Sequence, residues 1–413
     1  MTSPAPSRRA LSYTQRAMMQ RYFAEPESYC NFEFLHLYFH GAIDPERLAD
    51  AWRAVFRRFP ILNSVIRWGE GTDDLCQIYR KAPPPIRILY HLDSDAREVL
   101  LAQRRQYRIN LRRNLFELIL IPGQHGTDML VNTHHIVYDG WSTSLILDRL
   151  LREYQSSDKD GACPLVSSPD AAWEAYKASQ SCVDPAPMRA FYQQMLRGYH
   201  QPPIRRSQGS SIFSSKSSLI MALPIPSDAV GQISRRLQAA TGAILTALAA
   251  RETLRLSHAE DLVVGAVFSC RVLPISGLES CVGPISSVLP LRVRANALPE
   301  MVSAVHADMA AMQEMQHIPF DYTAMGDCLP FFSIDSVVLV QNYPMLQQKN
   351  QTGSLWVEHR EAVYFPDNQI TVELQSRAGR WILLYRYDNH IFSRREIEAS
   401  AGRICRDLLE LAE

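Results

Sequence analysis

The sequence predicts a mixed α/β (α+β) protein of two lobes, and three observations predict it. The chain has 413 residues, enough for two ordinary domains or one large two-lobed unit. Strand-like apolar runs alternate with helix-like ones, the order of a mixed α/β lobe. A polar, turn-rich stretch at 156–170, SSDKDGACPLVSSPD, then interrupts that order, and the lobes are drawn as 1–165 and 166–413. Apolar residues make up 46% of the chain, so a full core is expected and wholesale disorder is not.

Each element has its own signal. Leu11 to Phe23 reads as a short helix. Phe32 to Phe39 reads as a strand with apolar residues on both sides, which suits burial on two faces. Pro45 to Arg57 follows as a helix, with proline at its start and Leu48, Trp52, Val55 and Phe56 as its apolar stripe. Pro83-Pro84-Pro85 breaks the chain before another strand, and 117–121 pairs with 129–133 as a hairpin through Pro122 to Gly126. Asp128 to His135 forms the second arm of that hairpin. Asp139-Gly140 turns the chain, and Leu145, Ile146, Leu150, Leu151 and Tyr154 recur at helical spacing behind an N-cap at Ser142 or Asp139. A connecting helix is expected from Asp170 to Ser179 and another from Met188 to Leu196, then a serine-rich flexible segment at 207–218. Helices from Ser227 and at 242–254, a buried strand at Leu262 to Phe268, a strand at Ser336 to Asn342, two late strands and a last helix from Ser393 to Leu411 complete the second lobe.

Composition removes several function classes. Lys+Arg and Asp+Glu are both 43, so the net charge of zero speaks against a general binder of nucleic acid or membrane surfaces. Eight cysteines are scattered without framework spacing, as in a reducing compartment, and neither an apolar signal region nor a membrane-length apolar run is visible. A cytoplasmic protein is expected.

The sharpest chemical signal is His134-His135-x-x-x-Asp139-Gly140, at a strand end just ahead of a helix. Neighbouring strand side chains point to opposite faces, so only one histidine can face a shared site, and the period does not say which. An imidazole there can take a proton from an attacking amine or hydroxyl near neutral pH, with the carboxylate orienting the ring or bracing the loop. The alternative is a core histidine pair beside a turn aspartate. A metal site is disfavoured, because adjacent strand histidines diverge and no cluster with ligand spacing completes the set.

HHIVYDGWS, residues 134–142, resembles the HHxxxDG signature of the condensation domains of nonribosomal peptide synthetases, members of an acyltransferase superfamily with a chloramphenicol-acetyltransferase-like fold. Further segments resemble the family in its order: Ser12 and Gln15 near the start, Ser269-Cys270-Arg271 after a buried strand, Val282-Gly283-Pro284, Leu289-Pro290-Leu291-Arg292, Pro319-Phe320-Asp321 and the strand ending in Gln341-Asn342. Three departures stand out: Cys270 replaces the usual glycine, and Phe59 and Asn63 stand where the family has His and Arg. The resemblance covers about 11–411. The GWS ending is closer to condensation than to epimerisation motifs, and the DFGWG segment of plant acyl-CoA transferases is not found.

The resemblance implies two chloramphenicol-acetyltransferase-like lobes in a V-shaped pseudodimer with a tunnel between them. It implies His135 facing the tunnel as base or positioning group, His134 packed behind it, and Asp139 paired with Arg271. Gly140 lets backbone pass close to the tunnel, and Trp141, Ser142, Gln341 and Asn342 line the channel. The implied partners are a donor carrier protein and an acceptor carrier protein or free amine, each carrier supplying its phosphopantetheine arm. No intrinsic cofactor, metal, nucleic acid or membrane is implied, and a monomer is expected. The product is an amide, by chain elongation or macrocyclisation, from a free-standing enzyme or an excised domain. A catalytically silent docking domain and an ester-forming, acyl-CoA-dependent acyltransferase are the alternatives.

Overall fold

The strand Gly126–His134 is buried along its whole length and lies in the middle of a sheet. In the computed structural model, which describes residues 8–69, 74–156, 169–202, 216–320, 332–341, 356–364, 368–377 and 379–413, that sheet runs Trp356–Tyr364, Phe32–His40, Gly126–His134, Phe116–Gly123, Ile86–Ile88. Its two faces are both covered. Trp52 and Phe56 of the helix Pro45–Arg58 pack on Phe116 from one side. On the other side Leu101, from the helix Ser94–Arg105, joins Phe34, Ile119, Ile121 and Leu130. The continuous apolar character of 32–39 thus reflects burial on two faces.

The chain forms two compact units, and neither is one continuous stretch. The first comprises Met1–Ser181, Arg271–Ile285 and Leu346–Phe365; the second comprises Cys182–Cys270, Ser286–Met345 and Pro366–Glu413. The connecting helix, Pro169–Ser181, lies in the first unit, and two later segments return to it, so a single cut at 165 does not describe either unit. The second unit holds its own sheet, ordered Ser287–Arg294, Asp261–Phe268, Ser336–Gln341, Ile370–Arg377, Arg380–Asp388, Lys216–Pro226. The alanine- and leucine-rich helix Thr241–Leu256 is its core element and packs against the helices Leu298–Met315 and Arg394–Glu410.

Several local expectations change. The histidine strand ends at His134, and His135 opens a short 3-10 turn, His135–Val137. Asp139, rather than Ser142, is the N-cap of the helix Gly140–Gln155. Ser217 and Ser218, expected in a flexible segment, pair with Tyr387 and Arg386 in a strand, where ladder hydrogen bonds override composition; 207–215 lies outside the described residues, as does most of the break at 156–170. The helix Ser94–Arg105 has no clear signal in the sequence because only Leu101 and Arg104 of it are buried, too thin a stripe to show a period.

Gly126 closes the hairpin where the chain has no room for a side chain. A Cβ there would lie 2.7 Å from the Tyr38 ring and closer still to the Phe39 carbonyl oxygen. Gly126→Ala is therefore expected to destabilise the protein by about 1–3 kcal/mol, read as a lower urea midpoint with an unchanged m value.

Candidate functional site

The two histidines of the motif have opposite environments because His134 ends the buried strand, whereas His135 opens the 3-10 turn that follows it. His134 is 1% exposed. Its Nδ1 accepts a hydrogen bond from the Ile136 N–H at 3.1 Å, and Phe32 meets its ring edge-on at 4.8 Å. Burial, with smaller contributions from His135 and Arg108, pushes its pKa down to about 3, so His134 is a neutral core residue.

His135 sits on the other face and keeps 19% of its side chain exposed. Its main-chain N–H donates to the Asn31 carbonyl at 2.9 Å, and its ring stacks on Tyr138 at 5.0 Å. Nδ1 lies 3.2 Å from the Tyr138 carbonyl oxygen, which can only accept, so the proton is assigned to Nδ1. The lone pair of the neutral ring is then on Nε2, the atom available for proton transfer. The Glu33 carboxylate lies 3.6 Å from Nε2, and Tyr364 meets the ring edge-on at 4.6 Å.

Asp139 braces the loop. Arg271 binds it in a fork, Nη1 to Oδ2 at 2.8 Å and Nη2 to Oδ1 at 2.9 Å. The N–H groups of Ser142 and Ile285 donate to the same carboxylate at 2.9 and 3.1 Å. Such a pair is stable when buried because its hydrogen bonds replace lost water. Ser142, expected along the substrate channel, is fully buried, and its hydroxyl is engaged by Asp139, Arg271 and the Gly283 main chain, so it belongs to the brace. Gly140 is the first residue of the helix. Trp141 donates to the Glu279 carbonyl at 2.9 Å, with the Arg271 guanidinium over its ring at 5.5 Å.

Cys270 departs from the family pattern at a position whose backbone shows why glycine is usual there. Its φ is 53°, the left-handed region that favours glycine. Its N–H donates to the Gln316 side chain at 3.0 Å, which anchors the turn leading into Arg271. Burial, first among the causes, pushes the Cys281 thiol beside the brace up to about 12, so it is no thiolate nucleophile near neutral pH.

The early Ser12/Gln15 segment also has a structural meaning. Ser12 and Gln15 form a reciprocal capping box, and the Gln15 amide donates to the Ile136 carbonyl at 2.8 Å, immediately after the histidines. Gln341 ends its strand in the second unit, level with Gln375 in the ladder; Asn342 and Asp321 lie outside the described residues. Sequence reasoning missed Glu33 and Tyr364. Glu33 carried a signal, an acid inside a strand apolar on both faces; Tyr364 carried none, since it arrives from a strand far along the chain. Among the described residues no group of three or more His, Cys, Asp and Glu could hold a metal ion, and no helix is long and apolar enough to cross a membrane.

A family model described as Condensation domain matches residues 8–413. Tyrocidine synthase 2 of Brevibacillus parabrevis is 21% identical over 421 residues, covering 96% of this chain but 12% of that protein; the chain thus spans a small part of such a relative. Among solved structures, the condensation domain from Monacolin K polyketide synthase MokA matches with a TM-score of 0.76 at 18% identity, covering 98% of both chains. The first condensation domain of the calcium-dependent antibiotic synthetase, in complex with a substrate analogue, matches with 0.78 at 18% identity over 98% of this chain and 96% of that one. At such identities the structural likeness speaks for the fold.

Two outcomes follow from the site. Arg271→Met leaves the Asp139 carboxylate buried without its counter-charge, and is expected to cost about 3–5 kcal/mol of stability, measured by urea unfolding. His134 is neutral down to about 3 when folded, whereas an ordinary imidazole takes up a proton below 6.5. Between these values the unfolded chain binds the extra proton, so stability falls as pH is lowered, by up to about 1.4 kcal/mol per pH unit from this residue. His134→Asn, which keeps an acceptor for Ile136 but cannot titrate, is expected to remove that part of the slope in urea unfolding across the same range.

Proposed function

We propose, from the premise that this chain belongs to the condensation-domain family, that it is an acyltransferase joining a carrier-bound acyl or peptidyl thioester to an amine, with His135 at the reacting atoms. The observation that carries this reading is the Tyr138 carbonyl on Nδ1 of His135, which leaves Nε2 as the basic atom of a partly exposed ring. Donor and acceptor are each brought on the phosphopantetheine arm of a carrier protein, as parts of the substrates; a free amine is the variant acceptor.

The reaction is short. The amine nitrogen attacks the thioester carbonyl carbon, the C–N bond forms, and the carbonyl electrons move to oxygen. Nε2 of His135 takes the proton that the nitrogen sheds. When the C–S bond breaks, that proton goes to the departing sulfur, giving an amide and a thiol and restoring the neutral ring. A thioester is already activated, so holding the nucleophile beside it supplies much of the acceleration through effective molarity. The roles of the neighbours follow from their surroundings. Asp139 and Arg271 hold the loop, Gln15 holds the Ile136 carbonyl, and His134 fills the space behind. Trp141 is proposed as a wall of the substrate channel beside Gly140, and Gln341 and Asn342 are proposed, separately, as amide donors to substrate.

The test compares the same acyl groups on a carrier protein and on coenzyme A, with a soluble amine as acceptor, for wild type and His135→Ala. Amide formation from the carrier-bound donor is expected in wild type, and a loss of about 10²–10⁴-fold in the variant. Equal turnover by the variant would overturn the proton-transfer role. Turnover from coenzyme A alone, with an alcohol as the better acceptor, would support the ester-forming alternative, and no product from any donor would support a docking role.

A further inference from the structure

We propose that Glu33 is a positioning residue for His135: its carboxylate is the counter-charge that holds the imidazolium formed each time the attacking amine gives up its proton. The inference rests on the function proposed above. Glu33 is the acid in a strand otherwise built from apolar and histidine side chains, and its side chain is 12% exposed. A carboxylate so placed is costly unless a cation or donors face it.

The ladder shows what faces it. Glu33 lies opposite Thr133 on one neighbouring strand and opposite Tyr364 on the other. The Thr133 hydroxyl donates to the Leu115 carbonyl at 2.9 Å, so its single proton is directed elsewhere. His135 is two residues beyond Thr133, in the turn just past the strand end, and diagonal to Glu33 where the register of the ladder carries on. The bond from the His135 N–H to the Asn31 carbonyl fixes that diagonal, because Asn31 lies two residues before Glu33. The result is the 3.6 Å approach of Glu33 Oε2 to Nε2, within ion-pair reach.

This approach has a chemical meaning that depends on the other ring nitrogen. With the proton of the neutral ring on Nδ1, facing the Tyr138 carbonyl, Nε2 presents a lone pair to a carboxylate oxygen. Two acceptors then face each other, and the pair becomes attractive only when Nε2 is protonated. That state arises in the reaction when the C–N bond has formed and the amine proton has moved to Nε2, and it ends when the proton passes to the departing sulfur. Glu33 itself neither gains nor loses a proton in this cycle. It favours the charged state over the resting one, so it acts on the chemical step and not on binding of the amine.

The test measures kcat and KM for the soluble amine with the carrier-bound donor, in wild type, Glu33→Gln, Glu33→Asp, His135→Ala and the Glu33→Gln/His135→Ala double variant. Glu33→Gln is expected to lower kcat by about ten- to hundredfold, the range for a bond to a charged group, with KM within about twofold. Glu33→Asp, which keeps the charge, recovers part of kcat and stands in if the glutamine variant does not fold. In the His135→Ala background Glu33→Gln has no further effect, because the two residues act as one unit. An unchanged kcat in Glu33→Gln, or an equal fractional loss with and without His135, would overturn the inference while leaving the proposed function standing. A wild type without turnover would overturn that function, and this inference with it.

Discussion

Asp139 and Arg271 carry charges that cannot be left alone in a protein interior, and much of the geometry around the motif is the solution to that constraint. The carboxylate lies in the loop between a buried strand and a helix; the guanidinium comes from a segment more than a hundred residues later. Once they meet in a fork, the N–H of Ile285, the Ser142 hydroxyl and the Gly283 main chain fall into place around them. The loop is then held at its far end by Asp139 and at its near end by the Gln15 amide on the Ile136 carbonyl. Between these two anchors the 3-10 turn has little freedom, and His135 is carried out of the strand with its Nδ1 against Tyr138. The motif aspartate thus serves the histidine through the backbone of the loop.

The strand end and the turn after it supply two imidazoles with different uses. The end of the strand separates them: one faces Phe32 and the interior, the other faces Glu33, Tyr138 and Tyr364. Burial strips His134 of basicity and turns it into packing. On the same face as His134 the strand also holds Asp128, where burial opposes ionisation but the bond from His36 and the nearby Arg97 and Arg360 outweigh it, keeping the carboxyl below its ordinary range. That network joins the helix Ser94–Arg105 and the outer strand Trp356–Tyr364 to the centre of the sheet.

What was legible in the sequence was what local period and a fixed motif can carry. The hairpin, the buried strand at 262–268, the alanine-rich helix and the histidine loop all read through their own residues. Arg271 was legible through the family resemblance, since nothing in its neighbourhood distinguishes it from a surface arginine at a strand end. Which histidine faces the site was not legible from period alone, because both candidates obey it. Tyr364 was out of reach for a different reason: its strand joins the sheet beside Phe32–His40 across more than three hundred residues, and such pairing leaves no trace in local spacing. Glu33 was missed although it carried a local signal, an acid in an apolar strand, and its meaning needed the ladder register.

The discontinuity of the first unit has a consequence for how the protein is made. Residues up to Ser181 emerge from the ribosome without the segment that neutralises Asp139 and without the strand that covers the edge of Phe32–His40. Until Phe365 has been synthesised, about 10–40 s later at ordinary elongation rates, the nascent sheet keeps an open edge, and until Arg271 has been synthesised it also keeps a charge awaiting its partner. That interval is the window in which a neighbouring nascent chain could pair with the bare edge, and in which a chaperone has most to shield. It also means that a fragment ending at the close of the helix Pro169–Ser181 is an unfinished unit, however neatly the boundary falls in the sequence.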